Sequence, residues 1–176
     1  WSATREVLGE GALAIVELVT LDEAYSEKYF QVKGKRVPAA LKTSKVNSAF
    51  SAPLKEKIRR EKEYANKKCT HPNLVKYLKV FDSKVPVKIL MEFMDLSSLT
   101  SAMTRFESNN ITPEDRVELC RSVGIQTLLG LQYLHTAEGI MHRDVKTCNV
   151  LLCTEGRVKI CDFDTARKIT KDGSAP

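Results

Sequence analysis

The stretch Ile140–Asp164 reads IMHRDVKTCNVLLCTEGRVKICDFD, and it decides the fold of this chain. Two short apolar runs, Val150–Leu152 and Val158–Cys161, surround a polar turn sequence, a pattern that predicts a β-hairpin. Asn149 enters the first strand and Asp162 leaves the second, so a hairpin would bring their side-chain oxygens together. Such oxygens are hard ligands suited to Mg²⁺, which commonly takes one or two carboxylates together with substrate phosphates and water.

The same stretch carries two recognisable motifs. His142-Arg143-Asp144, with Asn149 five residues after the aspartate, resembles the catalytic loop of eukaryotic protein kinases. Asp162-Phe163-Asp164 resembles their Asp-Phe-Gly triplet, with Asp164 where the family has glycine.

This resemblance implies a role for each polar residue of the stretch. Asp144 would accept the proton of the substrate hydroxyl, and Lys146 would neutralise the transferring phosphate. Asn149 and Asp162 would hold Mg²⁺. All four roles act by positioning and by charge stabilisation, which is how kinases accelerate phosphoryl transfer.

A glycine turn, Gly9-Glu10-Gly11, interrupts two β-rich runs within Glu6–Leu21. Glycines let backbone N–H groups come close to phosphate oxygens, although a two-glycine turn is more often only a hairpin. The turn resembles the kinase glycine-rich loop, with Gly9, Gly11 and Val16 matching and Ala14 at the third glycine position. The resemblance implies that the turn binds the ATP phosphates and that Val16 covers the adenine ring.

The segment Val37–Thr43 predicts a short apolar strand that carries one lysine, Lys42. A lysine in a buried strand needs a counter-charge, because an unpaired buried ammonium is costly. The segment resembles the family's Val-Ala-Ile-Lys strand, which implies that Ala40 contacts the adenine and Lys42 the α- and β-phosphates.

The Lys/Glu-rich segment Lys45–Cys69 predicts a helix. In kinases this helix supplies the glutamate that pairs with the strand lysine. Two glutamates lie near the family's usual spacing. Glu61 shares a helical face with Ile58 and Ala65, whereas Glu63 has basic residues around it and is expected to be solvated. We therefore predict that Glu61 is the partner.

Two further segments, Asn73–Phe81 and Val85–Phe93, predict antiparallel strands around the turn Asp82–Lys84. By resemblance, Met91 lies beside the adenine pocket, and Glu92–Met94 is the hinge whose backbone groups bond the adenine edge. The residues that the resemblance assigns to the nucleotide are Gly9, Glu10, Gly11, Val16, Ala40, Lys42, Met91, Glu92, Met94, Leu151 and Asp162.

The segment Asp22–Arg36 is about ten residues longer than the family needs between its second and third strands, and it predicts an extended hairpin or a loop. Thr112-Pro113 is a strong helix start. The helix is predicted to run to about His135, itself expected to be packed, and its apolar residues are predicted to be core. These residues are Val117, Cys120, Val123, Gly124, Leu128, Leu131 and Leu134.

The composition excludes several other classes of protein. The chain has 176 residues, with 28 basic and 22 acidic side chains and a net charge of +6, which is moderate. No pattern typical of nucleic-acid binding is present. Five cysteines, without Cys-x-x-Cys spacing, favour reduced thiols and an intracellular, cytoplasmic location. No apolar run predicts a membrane span, and no signal peptide is visible. The missing initiator methionine and the abrupt end predict an excerpt of a longer protein.

Together these features predict an α+β, two-lobed fold like that of protein kinases. Residues 1–94 would form the smaller lobe with the hinge, and residues 95–176 the first part of the mostly helical lobe. The predicted function is transfer of phosphate from ATP to Ser/Thr hydroxyls of a protein substrate, with ATP and Mg²⁺ required. Arg143 would pair with phosphorylated Thr170 or Ser174, modified by an upstream kinase or regulatory partner. Ala14, Asp164 and the uncertain helix glutamate leave an alternative open, a pseudokinase that binds nucleotide as a scaffold.

Overall fold

The computed structural model describes residues 2–45, 51–67, 69–81, 86–108 and 111–170. The chain divides into two compact units. The first comprises Trp1–Cys69 and Lys76–Phe93, and the second Thr70–Val75 and Met94–Pro176. The turn predicted at Asp82–Lys84 and the predicted modification site Ser174 lie outside the described residues.

An antiparallel sheet of five strands forms the first unit, in the order β1-β2-β3-β5-β4. Two helices accompany it, α1 after the second strand and α2 after the third. The elements are β1 (Ser2–Glu10), β2 (Ala14–Leu21), α1 (Glu23–Phe30), β3 (Val37–Ser44), α2 (Ala52–Asn66), β4 (Tyr77–Phe81) and β5 (Lys88–Glu92).

The strand register shows which side chains lie on each face of this sheet. Val16 lies opposite Lys42, and Ala40 lies opposite Met91. Because directly paired residues and alternate residues share a face, these four side chains lie on one side of the sheet. The other side carries a buried apolar cluster, formed by Val19, Leu21, Ala39, Leu41, Leu78 and Leu90.

Helix α1 covers that apolar cluster, so the predicted hairpin or loop at Asp22–Arg36 is wrong. Asp22 caps the helix by accepting a hydrogen bond from the backbone N–H of Tyr25 at 3.0 Å, which lowers the pKa of its carboxyl. Tyr25, Tyr29 and Phe30 pack against the cluster. Three aromatic rings at helical spacing give this short, otherwise polar segment one apolar face, which is enough to dock it.

The second unit contains two helices, a short 3-10 turn and two small sheets. The elements are α3 (Leu99–Ser108), α4 (Pro113–Thr136), β6 (Ile140–Met141), the 3-10 turn Thr147–Asn149, β7 (Val150–Leu152), β8 (Val158–Ile160) and β9 (Arg167–Lys168). The predicted hairpin is confirmed as β7 and β8, with Val150 opposite Ile160. Gly156, in the connecting turn, has φ 76°, a conformation that glycine adopts without strain.

Helix α4 begins as the sequence predicts, since Thr112 accepts a hydrogen bond from the N–H of Asp115 at 3.1 Å. It packs on β6 and β8 through the face that carries the buried residues Gly130 and Leu134. A Cβ atom at Gly130 would lie 2.9 Å from the Asn73 carbonyl oxygen, so this helix approaches the 70–75 segment closely.

Much of the predicted core of α4 is exposed, so that prediction is wrong for several residues. Val117 is 59% and Leu128 is 66% exposed, and His135 is exposed rather than packed. The apolar stripe is wider than the surface that β6 and β8 offer, and these residues lie on the side of the helix away from Gly130. Within the described ranges, no helix is both long and apolar enough to cross a membrane.

Candidate active site

The glycine turn links β1 and β2, and the fold around it leaves room for a side chain at either glycine. Gly11 donates its N–H to the Ala14 carbonyl at 2.9 Å, and Glu10 pairs with Lys45 at 2.5 Å. A Cβ atom at Gly9 would meet nothing within 4 Å, and one at Gly11 only the Ala14 oxygen at 3.9 Å. The space that these missing side chains leave is therefore open to an approaching ligand, as a phosphate-binding loop needs.

Lys42 and Glu61 form an ion pair, with Nζ and Oε1 2.6 Å apart. The Lys42 side chain is 16% exposed and the Glu61 side chain 2%, so the pair is largely shielded from water. The Tyr77 hydroxyl lies 3.4 Å from the same carboxylate oxygen. Glu63 is exposed and pairs with Arg59. The geometry thus agrees with the choice of Glu61 over Glu63.

Of the side chains predicted to surround adenine, Ala40 and Met91 are buried and Val16 and Leu151 are half-buried. Ala40 is 6% and Met91 7% exposed, on the sheet face shared with Lys42. At the predicted hinge, the N–H of Glu92 donates to the Lys76 carbonyl at 3.0 Å, and its carboxylate accepts from the Lys76 N–H at 2.6 Å. Glu92 is therefore held by Lys76, the residue just before β4, as well as by its pairing with Ala39 of β3.

Two donors converge on the Asp144 carboxylate. Lys146 Nζ lies 2.7 Å and Asn149 Nδ2 3.1 Å from Oδ2, and Asn149 also donates to the Asp144 backbone oxygen at 2.8 Å. The hydrogen bond from Lys146 is the main cause of the lowered pKa of Asp144, and it raises the pKa of Lys146. Asp144 is therefore ionised at neutral pH and can accept a hydrogen bond from a hydroxyl.

His142 connects the loop with the segment that leads to Asp162. It is buried; Nδ1 accepts from the Asp144 N–H at 3.3 Å, and Nε2 lies 2.9 Å from the Cys161 carbonyl oxygen. Burial lowers the pKa of His142, so the ring stays neutral with its proton on Nε2. The Phe163 ring meets it edge-on, with centroids 4.9 Å apart. The sequence identified His142 only as part of a motif.

In the Asp162–Asp164 triplet, the residue with a left-handed backbone is not Asp164, which stands where the family has glycine. Asp162 has φ 66° and Arg143 φ 71°, whereas Asp164 is not among the described residues with positive φ. A left-handed conformation is costly for non-glycine residues and is often found at functional sites. The strain therefore lies at the first residue of the triplet, and Asp164 occupies ordinary backbone.

The predicted magnesium ligands are suited to a cation by their chemistry. Asn149 commits its amide N–H to Asp144, and its Oδ1 accepts at most a weak bond from the Cys148 thiol, 3.7 Å away. The N–H of Cys161 donates to the Asn149 carbonyl at 2.9 Å, which places Asp162 next along the chain. Among the described residues there is no group of three His, Cys, Asp or Glu placed to hold a metal. One amide and one carboxylate make the open ligand set that phosphates and water complete around Mg²⁺.

Comparison with known proteins identifies the family of this chain. The family model described as the protein kinase domain matches residues 3–175. The chain belongs to the protein kinase domain family. It is 30% identical over 167 residues to mitogen-activated protein kinase kinase kinase 2 of Arabidopsis thaliana, covering 94% of this chain and 23% of that protein.

Two further relatives are similar to shorter parts of this kinase domain. Serine/threonine-protein kinase ssp1 of Schizosaccharomyces pombe is 35% identical over 129 residues, 73% of this chain and 19% of that protein. Mitogen-activated protein kinase kinase kinase 3 of Arabidopsis thaliana is 37% identical over 105 residues, 60% of this chain and 15% of that protein. The kinase domain chain thus spans less than a quarter of the length of these relatives.

Sequence reasoning missed one anchoring contact in the second unit of the kinase domain. Asp95 accepts hydrogen bonds from the N–H and hydroxyl of Thr154 at 2.8 and 2.6 Å, and these bonds lower the pKa of Asp95. Leu96 and Ser97 exchange backbone bonds with Leu152 at 3.2 and 2.9 Å. The segment after the predicted hinge is thereby fixed beside β7, the strand of Leu151. The contact spans 59 residues of sequence, so no local pattern could have revealed it.

Proposed function

We propose that this kinase domain transfers the γ-phosphoryl group of ATP to Ser or Thr hydroxyls of a protein substrate. The observation that carries the proposal is the Asp144 carboxylate, which Lys146 and Asn149 hold within hydrogen-bond distance. An ionised carboxylate with fixed orientation and a neighbouring ammonium provides both a proton acceptor and a positive charge for the phosphate.

The transfer step follows from those two groups. The substrate hydroxyl oxygen forms a bond to the γ-phosphorus while the bond from that phosphorus to the β,γ-bridging oxygen breaks, leaving ADP. Asp144 accepts the hydroxyl proton as the bond forms, and Lys146 moves its ammonium from the carboxylate to the transferring phosphoryl group. The exposure of the Lys146 side chain, 51%, supports its ability to change partners.

The nucleotide is held by groups that the sequence already indicated. Lys42 binds the α- and β-phosphates while Glu61 fixes its position, and the glycine turn supplies backbone N–H groups. Asn149 and Asp162 would hold Mg²⁺, which supplies charge neutralisation of the phosphates when bound. By the family resemblance, the hinge Glu92–Met94 would bond the adenine edge through its backbone groups, and Val16, Ala40, Met91 and Leu151 would be apolar contacts of the adenine ring.

The preference for Ser and Thr over Tyr rests on two observations. Lys146 follows Asp144 by two residues, as in kinases of the Ser/Thr group. The similar protein ssp1 of Schizosaccharomyces pombe bears the words serine/threonine-protein kinase in its name. A peptide library in which Ser, Thr and Tyr acceptors are matched would reveal the class of hydroxyl that is used.

A phosphoryl-transfer assay with γ-labelled ATP and Mg²⁺ tests the proposal directly. The protein should label a Ser/Thr acceptor, whereas Asp144→Asn and Asp162→Asn variants of equal stability should not. Transfer that is no faster than in the Asp162→Asn variant would contradict the proposal.

The alternative is a pseudokinase that binds nucleotide as a scaffold, which Ala14 and Asp164 favour as departures from the glycine pattern. The ordinary backbone of Asp164 weakens this alternative, because no glycine-like conformation is required there. A rise in melting temperature with Mg-ATP, without any transfer, would support the scaffold. No rise and no transfer would indicate a docking module instead.

A further inference from the structure

We propose that helix α1 is a support for the active-site ion pair: it fixes strand β4 so that the Tyr77 hydroxyl meets Glu61. Tyr77 is then a positioning residue that acts through Glu61. The role in catalysis rests on the proposed function, while the physical coupling between these groups does not.

Strand β4 carries an irregularity directly after Tyr77. Tyr77 pairs with Met91, but the next pair joins Lys79 to Leu90, so Leu78 is an extra residue on β4. Such a β-bulge bends an edge strand and re-aims its side chains, often beside a functional site. Here Tyr77 lies opposite Met91 on the sheet face of Lys42, and Leu78 packs into the apolar cluster on the other face, so both are buried. The bulge also places Lys79 opposite Leu90, on the face that α1 covers.

From the sheet face that it shares with Lys42, the Tyr77 side chain reaches the buried carboxylate. Its hydroxyl lies 3.4 Å from Oε1 of Glu61, the oxygen that Lys42 contacts at 2.6 Å. The Tyr64 ring of α2 meets the Tyr77 ring edge-on at 5.8 Å between centroids, which orients the phenol. A buried carboxylate is favourable only when enough donors surround it, so a second donor strengthens the position of Glu61. The length of the contact implies a modest rather than a dominant effect.

Helix α1 holds β4 on both sides of the bulge. Before it, Lys76 Nζ donates to the Tyr29 carbonyl at 2.9 Å. After it, Lys79 Nζ donates to the Tyr25 hydroxyl at 3.1 Å and lies 4.9 Å from the centroid of the Phe81 ring. The bond to Tyr25 raises the pKa of Lys79, so its ammonium remains charged. Lys76 and Lys79, on either side of Tyr77 and Leu78, therefore both contact helix α1.

The same helix is fixed to the strand of Lys42. Ser26, fully buried at the centre of α1, donates to the Asp22 carbonyl at 2.8 Å and accepts from the Val37 N–H at 3.1 Å. Val37 is the first residue of β3, which carries Lys42. One helix therefore contacts both the strand of the lysine and the edge strand of the tyrosine. Among the described strands β4 pairs only with β5, so this second support limits the movement of β4.

A double-mutant cycle tests whether helix α1 acts on the Lys42–Glu61 pair through Tyr77. Tyr77→Phe keeps the ring and removes only the hydroxyl, and we expect kcat to fall about threefold to tenfold with a smaller change in the KM for ATP. Tyr25→Phe removes the partner of Lys79, and we expect about a twofold fall. If α1 acts through Tyr77, the double variant should be no slower than Tyr77→Phe alone. Tyr29→Phe is the matched control, because Tyr29 binds Lys76 through its backbone carbonyl and should keep the original activity.

A second cycle, measured by urea unfolding without nucleotide, separates this proposal from the proposed function. Tyr77→Phe and Glu61→Gln should be coupled by about threefold or more in the unfolding equilibrium constant. Coupling without phosphoryl transfer would refute the function but support the positioning contact. Additive stabilities of Tyr77→Phe and Glu61→Gln would overturn the role of Tyr77. Additive activity losses of Tyr25→Phe and Tyr77→Phe would overturn the role of α1.

Discussion

Two lysine–carboxylate pairs of nearly equal length lie in very different surroundings. Lys42 and Glu61 are 2.6 Å apart with side chains 16% and 2% exposed, whereas Lys146 and Asp144 are 2.7 Å apart with side chains 51% and 30% exposed. Distance alone therefore does not distinguish them; burial does. A buried pair is costly to break because its remaining charge is left in a medium of low polarity, whereas an exposed pair is screened by water.

The difference suits the proposed roles. A lysine that positions phosphates should stay in one place, so a buried partner that also contacts Tyr77 is appropriate. A lysine that must change partners during the reaction should be held loosely, and exposure achieves this. The first pair would then contribute to both folding and function, and the second to function alone.

The largest expected effect is the removal of Glu61. Glu61→Ala leaves the Lys42 ammonium without its nearest counter-charge, and we expect a loss of about 3 kcal/mol in the free energy of unfolding. Glu63→Ala, two residues along the same helix, removes an exposed pair with Arg59 and should change stability by less than about 0.5 kcal/mol. Urea unfolding of both variants measures the contrast. Equal losses would show that burial does not separate the two glutamates.

Replacement of Lys146 should separate function from stability. Lys146→Met removes an exposed cation that water screens, so we expect little change in the free energy of unfolding. Phosphoryl transfer should fall about 100-fold in kcat, because a charge that stabilises the transferring phosphate is lost. Lys33→Met, which removes another exposed pair at 3.6 Å from Glu27, should alter neither quantity. A destabilisation comparable with that of Glu61→Ala would erase the distinction between the pairs.

Close packing of helix α4 is expected to stabilise the second unit more than the exposed pair of Lys146 and Asp144 does. A Cβ atom at Gly130 of α4 would lie 2.9 Å from the Asn73 carbonyl oxygen and 3.1 Å from Cδ1 of Ile160. Gly130→Ala should therefore destabilise the protein by about 1–2 kcal/mol, despite the better helix propensity of alanine. At Gly124 of the same helix nothing lies within 4 Å, so Gly124→Ala should stabilise by about 0.5–1 kcal/mol. Stabilisation by Gly130→Ala in urea unfolding, as expected for Gly124→Ala, would argue against close packing at Gly130.

The sequence predicts well those parts of this chain whose signals are local. The hairpin of β7 and β8 follows from two apolar runs around a turn, and the start of α4 from Thr112-Pro113. The choice of Glu61 over Glu63 needed only helical geometry, because one glutamate shares a face with apolar residues. The functional roles of these residues remain predictions, since they depend on bound nucleotide.

Features that depend on distant partners could not be predicted. Gly130 looks like a weak helix residue until the Asn73 backbone is placed against it. The segment of α1 is an exception: its length predicts a hairpin or a loop, but Asp22 followed by aromatic rings at helical spacing is typical of a capped helix. The departure from the glycine pattern lies at Asp164, whereas the left-handed backbone belongs to Asp162.

The smallest expected effect concerns Asp95, an exposed carboxylate held by two donors from Thr154 rather than by a cation. These bonds lower its pKa below the usual 3.8, so the stabilisation is complete above that value and is lost as the pH falls through the folded-state pKa. Asp95→Asn should therefore lower the free energy of unfolding at pH 7 by at most about 1 kcal/mol, and the deficit should shrink below pH 3.8. Thr154→Val should remove part of the same pH-dependent contribution to the free energy of unfolding. A deficit that stays constant between pH 7 and pH 3, measured in urea, would mean that the contact stabilises through packing and not through the charge of Asp95.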